Sequence, residues 1–322
     1  MPSLRQVLGA MAVGMVALTN ALPAQPRLSE RTLKKYEAIQ RRQNPATGLP
    51  DNLTDVDVLQ FALTLENLET AFYQQGFAMF SDDKFAALGL QPADIANLKS
   101  IGGTEATHVT TLNSAIAATG TQPVPVCQYK FGFTDAAGMV ATASILENVG
   151  VSAYLGAAPL VKSPAILGVA AQIATVESRH QTFIRVASKA VAIPSAFDTP
   201  LGIRNVFTLA AGFIQSCPQG ANLAITPFPA LTMAGPAPAA GAPPAAAGTT
   251  IQLATSATGA TNCAFTNGGL PGGTAFTTFA NGACTVPSGL AGLTYVNLAS
   301  AAPATGLTDA ITLAGPMLMQ VS

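Results

Sequence analysis

Apolar residues recur every three or four positions along four long segments of the chain, which is the spacing of one face of an α-helix. In the first segment these residues are Val58, Leu59, Ala62, Leu65, Phe72 and Tyr73. The pattern predicts a helix that begins after Thr54 and ends near residue 80, and further long helices over about 92–118, 135–158 and 164–190. A shorter amphipathic helix over about 200–214 is predicted to cover the end of the resulting four-helix bundle.

Proline and glycine support these bounds. Pro92 and Pro164 suit the first turn of a helix, and Gly120 suits a helix end. About sixteen residues join the second helix to the third, which is long enough for the single crossover connection that some four-helix bundles contain. The pair Gly102-Gly103 inside the second helix indicates room for a neighbouring helix or a substrate, with poor local optimisation as the alternative.

The pattern changes in the last third of the chain. Residues 218–249 are predicted to form a linker, because alanine, glycine and proline dominate its end. Short alternating or β-branched runs follow at about 249–254, 274–279, 293–298 and 310–321, separated by turn residues. We therefore predict a helical bundle over 51–217 and a small β-sandwich-like domain over 250–322, with disorder as the alternative for the latter.

The N-terminus has the features of a secretory signal peptide. Arg5 precedes an apolar run over 7–18, and small residues end it near Ala21. Residues 1–21 are therefore predicted to be a signal peptide, and 22–50 a charged leader that is either a pro-segment or an exposed helix. The prediction is a secreted or cell-surface protein without a membrane span, because no segment reaches about 20 uninterrupted apolar residues.

Charge and cysteine content narrow the functional classes. The net charge is −1 and charged residues make up 10% of the chain, so neither nucleic acid nor an anionic membrane is an expected partner. Four cysteines in a secreted chain indicate two disulfides, with three connectivities allowed. We favour Cys127–Cys217 and Cys263–Cys284; free buried thiols are the alternative, and the absence of a Cys-x-x-Cys spacing argues against zinc.

Both histidines of the chain stand three residues after a glutamate, as Glu105-x-x-His108 and Glu177-x-x-His180. Residues three apart share one face of a helix, so each pair offers a carboxylate and an imidazole to one point. Either pair alone is more often part of a solvated helix face. Two copies among only seven glutamates indicate a metal site.

An internal repeat supplies the remaining candidate ligands. Leu-Glu-Asn occurs at Glu66 and again at Glu147, each followed seven residues later by a tyrosine, Tyr73 or Tyr154. Glu147 aligns with Glu66, so Glu66 is the predicted ligand, and Glu69 is left to support the ligands or lie on the surface. Two divalent ions would neutralise the four carboxylates. The two tyrosines are either core aromatics or hydrogen-bond partners of the ligands.

These motifs, over about 51–217, resemble the ferritin-like superfamily, and within it a secreted fungal and plant branch of desiccation-related and stress-response proteins. The resemblance implies that Glu105 and Glu177 bridge two metals. It also implies that Glu66 and Glu147 are terminal ligands and that His108 and His180 bind one metal each. It does not extend to cage assembly or iron storage, because the rest of the chain differs from ferritins.

The expected function is dinuclear metal chemistry. Iron or manganese suits the ligands, although imidazole also suits zinc. Open metal positions would admit O₂ or peroxide, which favours a di-iron or di-manganese oxidoreductase. The alternatives are a non-enzymatic stress or cell-surface protein with a structural metal, whose β domain self-associates or binds the cell wall, and a vestigial site without metal.

Overall fold

The computed structural model of the protein describes residues 53–220, 225–234 and 245–321. The predicted signal peptide at 1–21, the leader at 22–50 and the linker residues 235–244 lie outside the described residues. In the described residues there are six α-helices, in chain order α1 (Asp55–Met79), α2 (Asp82–Ala86), α3 (Pro92–Ala118), α4 (Ala136–Ala157), α5 (Pro164–Ala187) and α6 (Ile203–Ala211). The four predicted long helices are therefore confirmed as α1, α3, α4 and α5.

Side-chain caps fix where these helices begin. The Thr54 hydroxyl accepts from the Asp57 amide while the Asp57 carboxylate accepts from the Thr54 amide, which is a capping box at α1. The side chain of Asp135 accepts a hydrogen bond from the Gly138 amide at the start of α4, and that of Ser163 accepts one from the Ile166 amide at the start of α5. These local hydrogen bonds explain why the starts of the helices follow from the sequence.

The four long helices form two antiparallel hairpins, because α1 packs mainly on α3 and α4 packs mainly on α5. The crossover between the hairpins contains a two-residue strand, β1 (Gln128–Tyr129), which pairs with β2 (Ile214–Ser216). The predicted disulfide between Cys127 and Cys217 lies beside this ribbon, with the two Cα atoms 4.3 Å apart. It ties the crossover to the end of the helical region.

The structure corrects two helix bounds. Helix α5 ends at Ala187 rather than near 190, because Lys189 has a φ of 60° and leaves the helical conformation. The fifth predicted helix is shorter than 200–214: α6 ends at Ala211, and the chain then extends into β2. Helix α6 packs on α4 and α1 of the bundle and on the last strand, so it lies between the bundle and the β region.

Two antiparallel sheets form the C-terminal part. Their strands are β3 (Thr232–Met233), β4 (Thr250–Ala254), β5 (Asn262–Thr266), β6 (Thr274–Thr278), β7 (Ala283–Thr285), β8 (Gly292–Ala299) and β9 (Thr312–Val321). One sheet has the order β3-β4-β7 and the other β6-β5-β8-β9. Apolar residues of both sheets share one core, and the predicted disulfide Cys263–Cys284 joins β5 to β7 across it.

The predicted linker over 218–249 differs from the structure in its described part. Thr232 and Met233 form β3 and pair with β4, and Leu231 is buried in the core of the β region. Ala245 forms a bridge with Val321 at the end of β9. Part of this segment therefore belongs to the packed β region.

The bundle and the β region share a buried contact. Tyr295 of β8 is 0% exposed and belongs to the apolar cluster of the bundle. Its hydroxyl accepts from Asn148 Nδ2 at 2.7 Å and lies 2.8 Å from Ser152 Oγ, both on α4. Asn297 of β8 donates to Asn205 of α6 at 2.9 Å. Packing of the β region therefore reaches the helix that carries Glu147.

One helix of the described chain, with its continuation at Ala136–Leu160, is long and apolar enough to cross a membrane by length and composition alone. However, 67% of its most apolar stretch is buried inside the structure. This is expected of the central helix of a bundle, whose apolar residues face the other helices.

Adjacent glycines on α3 predict opposite effects of alanine. A Cβ at Gly102 would lie 2.8 Å from Tyr73 Cβ on α1, whereas a Cβ at Gly103 would meet open space. Gly102→Ala is expected to cost about 1–3 kcal/mol, because the two backbones must separate. Gly103→Ala is expected to stabilise the helix by about 1 kcal/mol. Urea unfolding of the two variants measures both; equal effects would contradict the close approach of α1 and α3.

Candidate metal centre

Each long helix places one predicted carboxylate ligand on the axis of the bundle. The four side chains are at most 1% exposed, and they are Glu66 on α1, Glu105 on α3, Glu147 on α4 and Glu177 on α5. One turn after Glu105 and Glu177, His108 and His180 are 6% and 7% exposed. The structure thus brings all six predicted ligands together in the interior.

The six side chains form two overlapping groups of four. The first group is Glu66, Glu105, His108 and Glu177; the second is Glu105, Glu147, Glu177 and His180. Within each group the possible ligand atoms lie within 4.8 Å of one another. Glu105 and Glu177 occur in both groups, which is the arrangement that two bridging carboxylates require.

The imidazoles present the same nitrogen to the carboxylates. His108 Nδ1 lies 3.2 Å from Glu66 Oε2, 3.0 Å from Glu105 Oε2 and 3.1 Å from Glu177 Oε1. His180 Nδ1 lies 2.9 Å from Glu105 Oε1 and 3.2 Å from Glu147 Oε2. A single N–H can donate one hydrogen bond, so it cannot satisfy several carboxylates at once.

The residues of the two groups fit divalent cations. Within the described chain, Oε1 of Glu105 and both carboxylate oxygens of Glu177 are buried and accept no hydrogen bond of favourable geometry, although Glu105 Oε1 lies 2.9 Å from His180 Nδ1 and Glu177 Oε1 lies 3.1 Å from His108 Nδ1. Such atoms are rare in folded proteins, because an unsatisfied buried carboxylate oxygen loses its hydration without compensation. A cation between the helices would satisfy these oxygens, and two divalent ions would balance the four predicted carboxylate ligands.

Two tyrosines bind the carboxylates across the hairpins. Tyr154 of α4 donates from its hydroxyl to Glu66 Oε1 of α1 at 2.5 Å. Reciprocally, Tyr73 of α1 donates to Glu147 Oε1 of α4. Each tyrosine therefore orients the carboxylate of the other hairpin and leaves that carboxylate's second oxygen directed towards the histidine. Tyr73 is buried in the core and Tyr154 is partly buried, and both are hydrogen-bond partners of the predicted ligands.

Glu69 is a fifth buried carboxylate beside the site. It is 4% exposed, so the alternative of a surface position is wrong. A Cβ at Gly150 would lie 3.0 Å from Glu69 Oε1 and 3.2 Å from Glu177 Oε2, so the glycine leaves room for both carboxylates. Burial, and then the negative charge of Glu177, raise the pKa of Glu69 well above its usual value. A protonated Glu69 leaves four negative charges for two divalent ions.

When no cation is bound, protons on the buried side chains reduce the electrostatic repulsion between the carboxylates. Burial raises the pKa of Glu177 well above its usual value, and the charge of Glu105 adds to this effect. Burial alone would also raise the pKa of Glu105, but hydrogen bonds with His108 and His180 outweigh it and lower the pKa to about 2. Burial would lower the pKa of His108, but its carboxylate partners raise it to about 12. Metal binding must therefore displace protons.

This proton balance predicts that the metal-free protein loses stability as the pH rises. Burial raises the pKa of Glu66 from 4.5 to about 7, so its contribution is present below its unfolded pKa and is lost as the pH passes about 7. His180, with a pKa raised to about 9 by its carboxylate partners against the effect of burial, acts in the same direction. Ionisation of Glu66 is expected to lower the free energy of unfolding by about 3 kcal/mol. Thermal unfolding of chelator-treated protein at a series of pH values across this range measures the loss.

The control variant for the pH effect is Glu66→Gln, which cannot ionise and should flatten the decline of the melting temperature. Metal-loaded protein should not show the decline, because bound cations stabilise the ionised carboxylates and bind more tightly as protons leave. A melting temperature of the metal-free protein that rises over the same pH range would contradict this charge assignment.

A polar network beside the site was not predicted from the sequence. Gln181, which follows His180, donates to Asn148 Oδ1, and Asn148 follows Glu147. The Asn148 amide in turn donates to Tyr295 of β8, while Arg185 lies 3.4 Å from Asn148 Oδ1. The Leu-Glu-Asn repeat could have indicated Asn148 from the sequence. No sequence pattern indicated Tyr295, because it reaches this network only through the packing of the β region.

Comparisons with known proteins agree with this geometry. Residues 54–190 match the family model described as a ferritin-like domain. Protein rds1 of Schizosaccharomyces pombe (strain 972 / ATCC 24843) is 25% identical over 183 residues, covering 56% of this chain and 45% of that protein. The chain thus spans about half the length of this curated relative. The segment over 54–190 is therefore similar to a ferritin-like domain, both in its sequence and in its helical fold.

Proposed function

We propose that the protein is a secreted ferritin-like redox protein that binds two iron or manganese ions and acts on peroxide or ferrous iron in a stress response. The observation that supports this most directly is the pair of overlapping ligand groups, in which three buried carboxylate oxygens accept no hydrogen bond of favourable geometry within the described chain. Buried oxygens of this kind are explained by cations.

The side chains have distinct roles in this proposal. Glu66 with His108 would hold one ion, Glu147 with His180 the other, and Glu105 and Glu177 would contact both. Tyr154 and Tyr73 fix the orientation of the two outer carboxylates. Bound iron or manganese would supply the electron transfer that no side chain of this set supplies. Four carboxylates and two imidazoles would leave coordination positions for O₂ or peroxide.

Metal analysis of protein purified from its secretory host tests this proposal. We expect about two iron or manganese ions per chain. The double variant Glu105→Ala/Glu177→Ala should lose both, because each of these carboxylates belongs to both groups. Turnover of hydrogen peroxide or Fe(II) is then measured on the loaded protein. If the purified parent chain contains no metal and the double variant melts at the same temperature as that parent chain, the protein has no metal cofactor.

A structural metal is the second candidate function. The four carboxylate ligands are at most 1% exposed, which favours a site that joins four helices rather than one that exchanges substrate with solvent. In that case chelation lowers the melting temperature while the loaded protein shows no turnover. The β region would then carry the contacts of a stress or cell-surface protein, by self-association or by binding the cell wall.

Secretion is also part of the proposal. The signal-peptide pattern over 1–21 supports it, and the two disulfides of the structure are compatible with an oxidising compartment. Sequencing the N-terminus of protein recovered from culture medium tests it, with a start after Ala21 or Ala24 expected. Protein retained in the cell with Met1 intact would contradict it.

A further inference from the structure

An apolar cavity lies between the long helices of the bundle, beside the candidate metal centre, and opens to solvent where Thr111, Ala165 and Val169 are exposed. Its volume is about 310 Å³, and all four long helices line it. It is about twice the volume of engineered apolar cavities of about 150 Å³ that bind benzene. It also reaches the range of about 300–1,000 Å³ in which ligand pockets fall. The cavity is therefore large enough for an organic molecule.

Small side chains hold this space open. Each long helix contributes at least one alanine to the wall: Ala62 on α1, Ala115 on α3, Ala153 and Ala157 on α4, and Ala165 and Ala170 on α5. A larger residue at any of these positions would fill part of the space, whereas a ligand would fill it without a change in the chain.

The lining determines the chemistry of an occupant. Among the described residues, those that line the cavity include no charged and no amide side chain, and its side-chain polar groups are the hydroxyls of Thr111 and Tyr154. An ionised ligand would lose its hydration there without compensation. The occupant must therefore be uncharged, and most of its surface must be hydrocarbon.

Tyr154 connects the cavity to the candidate metal centre. The tyrosine lines the cavity, and its hydroxyl donates to Glu66. Leu65, which precedes Glu66 on α1, is also part of the wall, and Leu112 lines it one turn beyond His108 on α3. One layer of side chains thus separates the cavity from the predicted ligands.

We propose that this cavity binds the hydrocarbon chain of an uncharged alkyl compound, with the polar end of that compound directed at Tyr154 and the metal centre. The substrate of the centre would then be an organic molecule rather than a small inorganic oxidant alone. This inference rests on the proposed function for the role of the metals, but the binding itself requires no metal.

Displacement of a neutral fluorescent probe tests the binding. The mature, metal-free protein is titrated with N-phenylnaphthylamine, and the chain has no tryptophan that would add background emission. Butanol, hexanol and octanol should displace the probe with affinities that rise about fourfold for each methylene, until the cavity is full. Octanoate should bind at least about tenfold more weakly than octanol, because its charge would be buried.

Matched variants locate the binding. Ala62→Leu/Ala115→Leu fills the cavity from two helices and should weaken probe binding at least about tenfold. Ala117→Leu adds the same side chain to α3 at an exposed position outside the cavity and should leave binding unchanged. Melting temperatures verify that the variants fold. Binding that does not saturate, or that persists in the filled variant, overturns the proposal.

Metal analysis and cobalt spectroscopy on the same samples separate this inference from the proposed function. If the metal-free protein binds octanol but binds no metal when metal is added, the result contradicts the proposed function and supports the cavity. Protein that takes up metal but binds no alcohol contradicts the cavity alone. With Co(II) bound, octanol should shift the visible absorption in the parent chain but not in the filled variant. Unshifted bands in the parent chain would contradict the contact with the metal centre.

Discussion

Glu177→Gln is expected to abolish the binding of at least one metal ion and, at the same time, to stabilise the metal-free protein. Glu177 belongs to both ligand groups, and within the described chain neither of its buried carboxylate oxygens accepts a hydrogen bond of favourable geometry. Burial raises its pKa well above the usual value, so burial opposes the ionised form in the metal-free protein. Glutamine has the same shape without a charge to bury, so the metal-free variant should be more stable than the metal-free parent chain.

The order of stabilities should reverse when metal is added. A ligand at a hundred times its dissociation constant stabilises a folded protein by about 2.7 kcal/mol. The loaded parent chain should therefore melt above the variant, whereas the metal-free parent chain should melt below it. Thermal unfolding with chelator and with Mn(II) or Fe(II) measures both orders, and mass spectrometry gives the metal content.

Asp83→Asn is the matched control, because it removes one carboxylate from an exposed position on α2. It should change neither the metal content nor the two melting temperatures by a measurable amount. If Glu177→Gln destabilises the metal-free protein as well, then Glu177 is a structural hydrogen-bonding group and the assignment as a ligand is wrong.

Removal of the disulfide Cys127–Cys217 is expected to have the largest effect on stability. This bond joins residues 90 positions apart, and the closed loop contains α4, α5 and α6. The entropy of closing a loop of this length in the unfolded chain corresponds to about 4–5 kcal/mol. The double variant Cys127→Ala/Cys217→Ala should show this loss in urea unfolding.

The second disulfide provides an internal comparison. Cys263 and Cys284 are 21 positions apart, so the same relation gives a loss of about 3 kcal/mol for Cys263→Ala/Cys284→Ala. Treatment of the parent chain with a reductant should lower the free energy of unfolding by the sum of the two losses. A smaller loss for the longer loop would show that the crossover remains constrained in the unfolded chain, contrary to this prediction.

The four long helices and their starts followed from the sequence because their determinants are local, whereas two helix bounds did not. Periodic apolar residues select the buried face, and the capping side chains of Thr54, Asp135 and Ser163 lie within three residues of the groups that they bind. The candidate ligands could be predicted because histidine and glutamate are rare in this chain. With only two histidines and seven glutamates, the same Glu-x-x-His spacing at both histidines would rarely arise by chance.

The β region was predicted less completely, because its pairing partners are distant in sequence. Strand β5 was missed, although it lies in the middle of the four-stranded sheet between β6 and β8. Its five residues are flanked by glycine, threonine and asparagine, which resemble a turn. The two-residue strand β3 has no pattern of its own and exists through its pairing with β4.

The burial of Glu69 could not be predicted from the sequence either, because it also depends on a contact with a segment that is distant in sequence. Its position three residues after Glu66 places it near the same helix face, but spacing does not show what the opposite helix provides. The structure shows that Gly150 of α4 leaves the space that Glu69 enters. A glycine was visible in the repeat, yet its meaning depends on a contact between two hairpins.

This contact also sets a limit on how the two halves of the chain can resemble each other. Glu69 and Gly150 occupy equivalent positions of the repeat, and the space left by the glycine accommodates the glutamate. A dimer of two identical hairpins would present either two glutamates to that space or none. A single chain that contains both hairpins escapes this restriction, so the candidate metal centre can carry an acidic group on one hairpin that the other hairpin lacks. Two different hairpins in one chain thereby permit two chemically unequal candidate metal positions, which a symmetric assembly of a single hairpin could not encode.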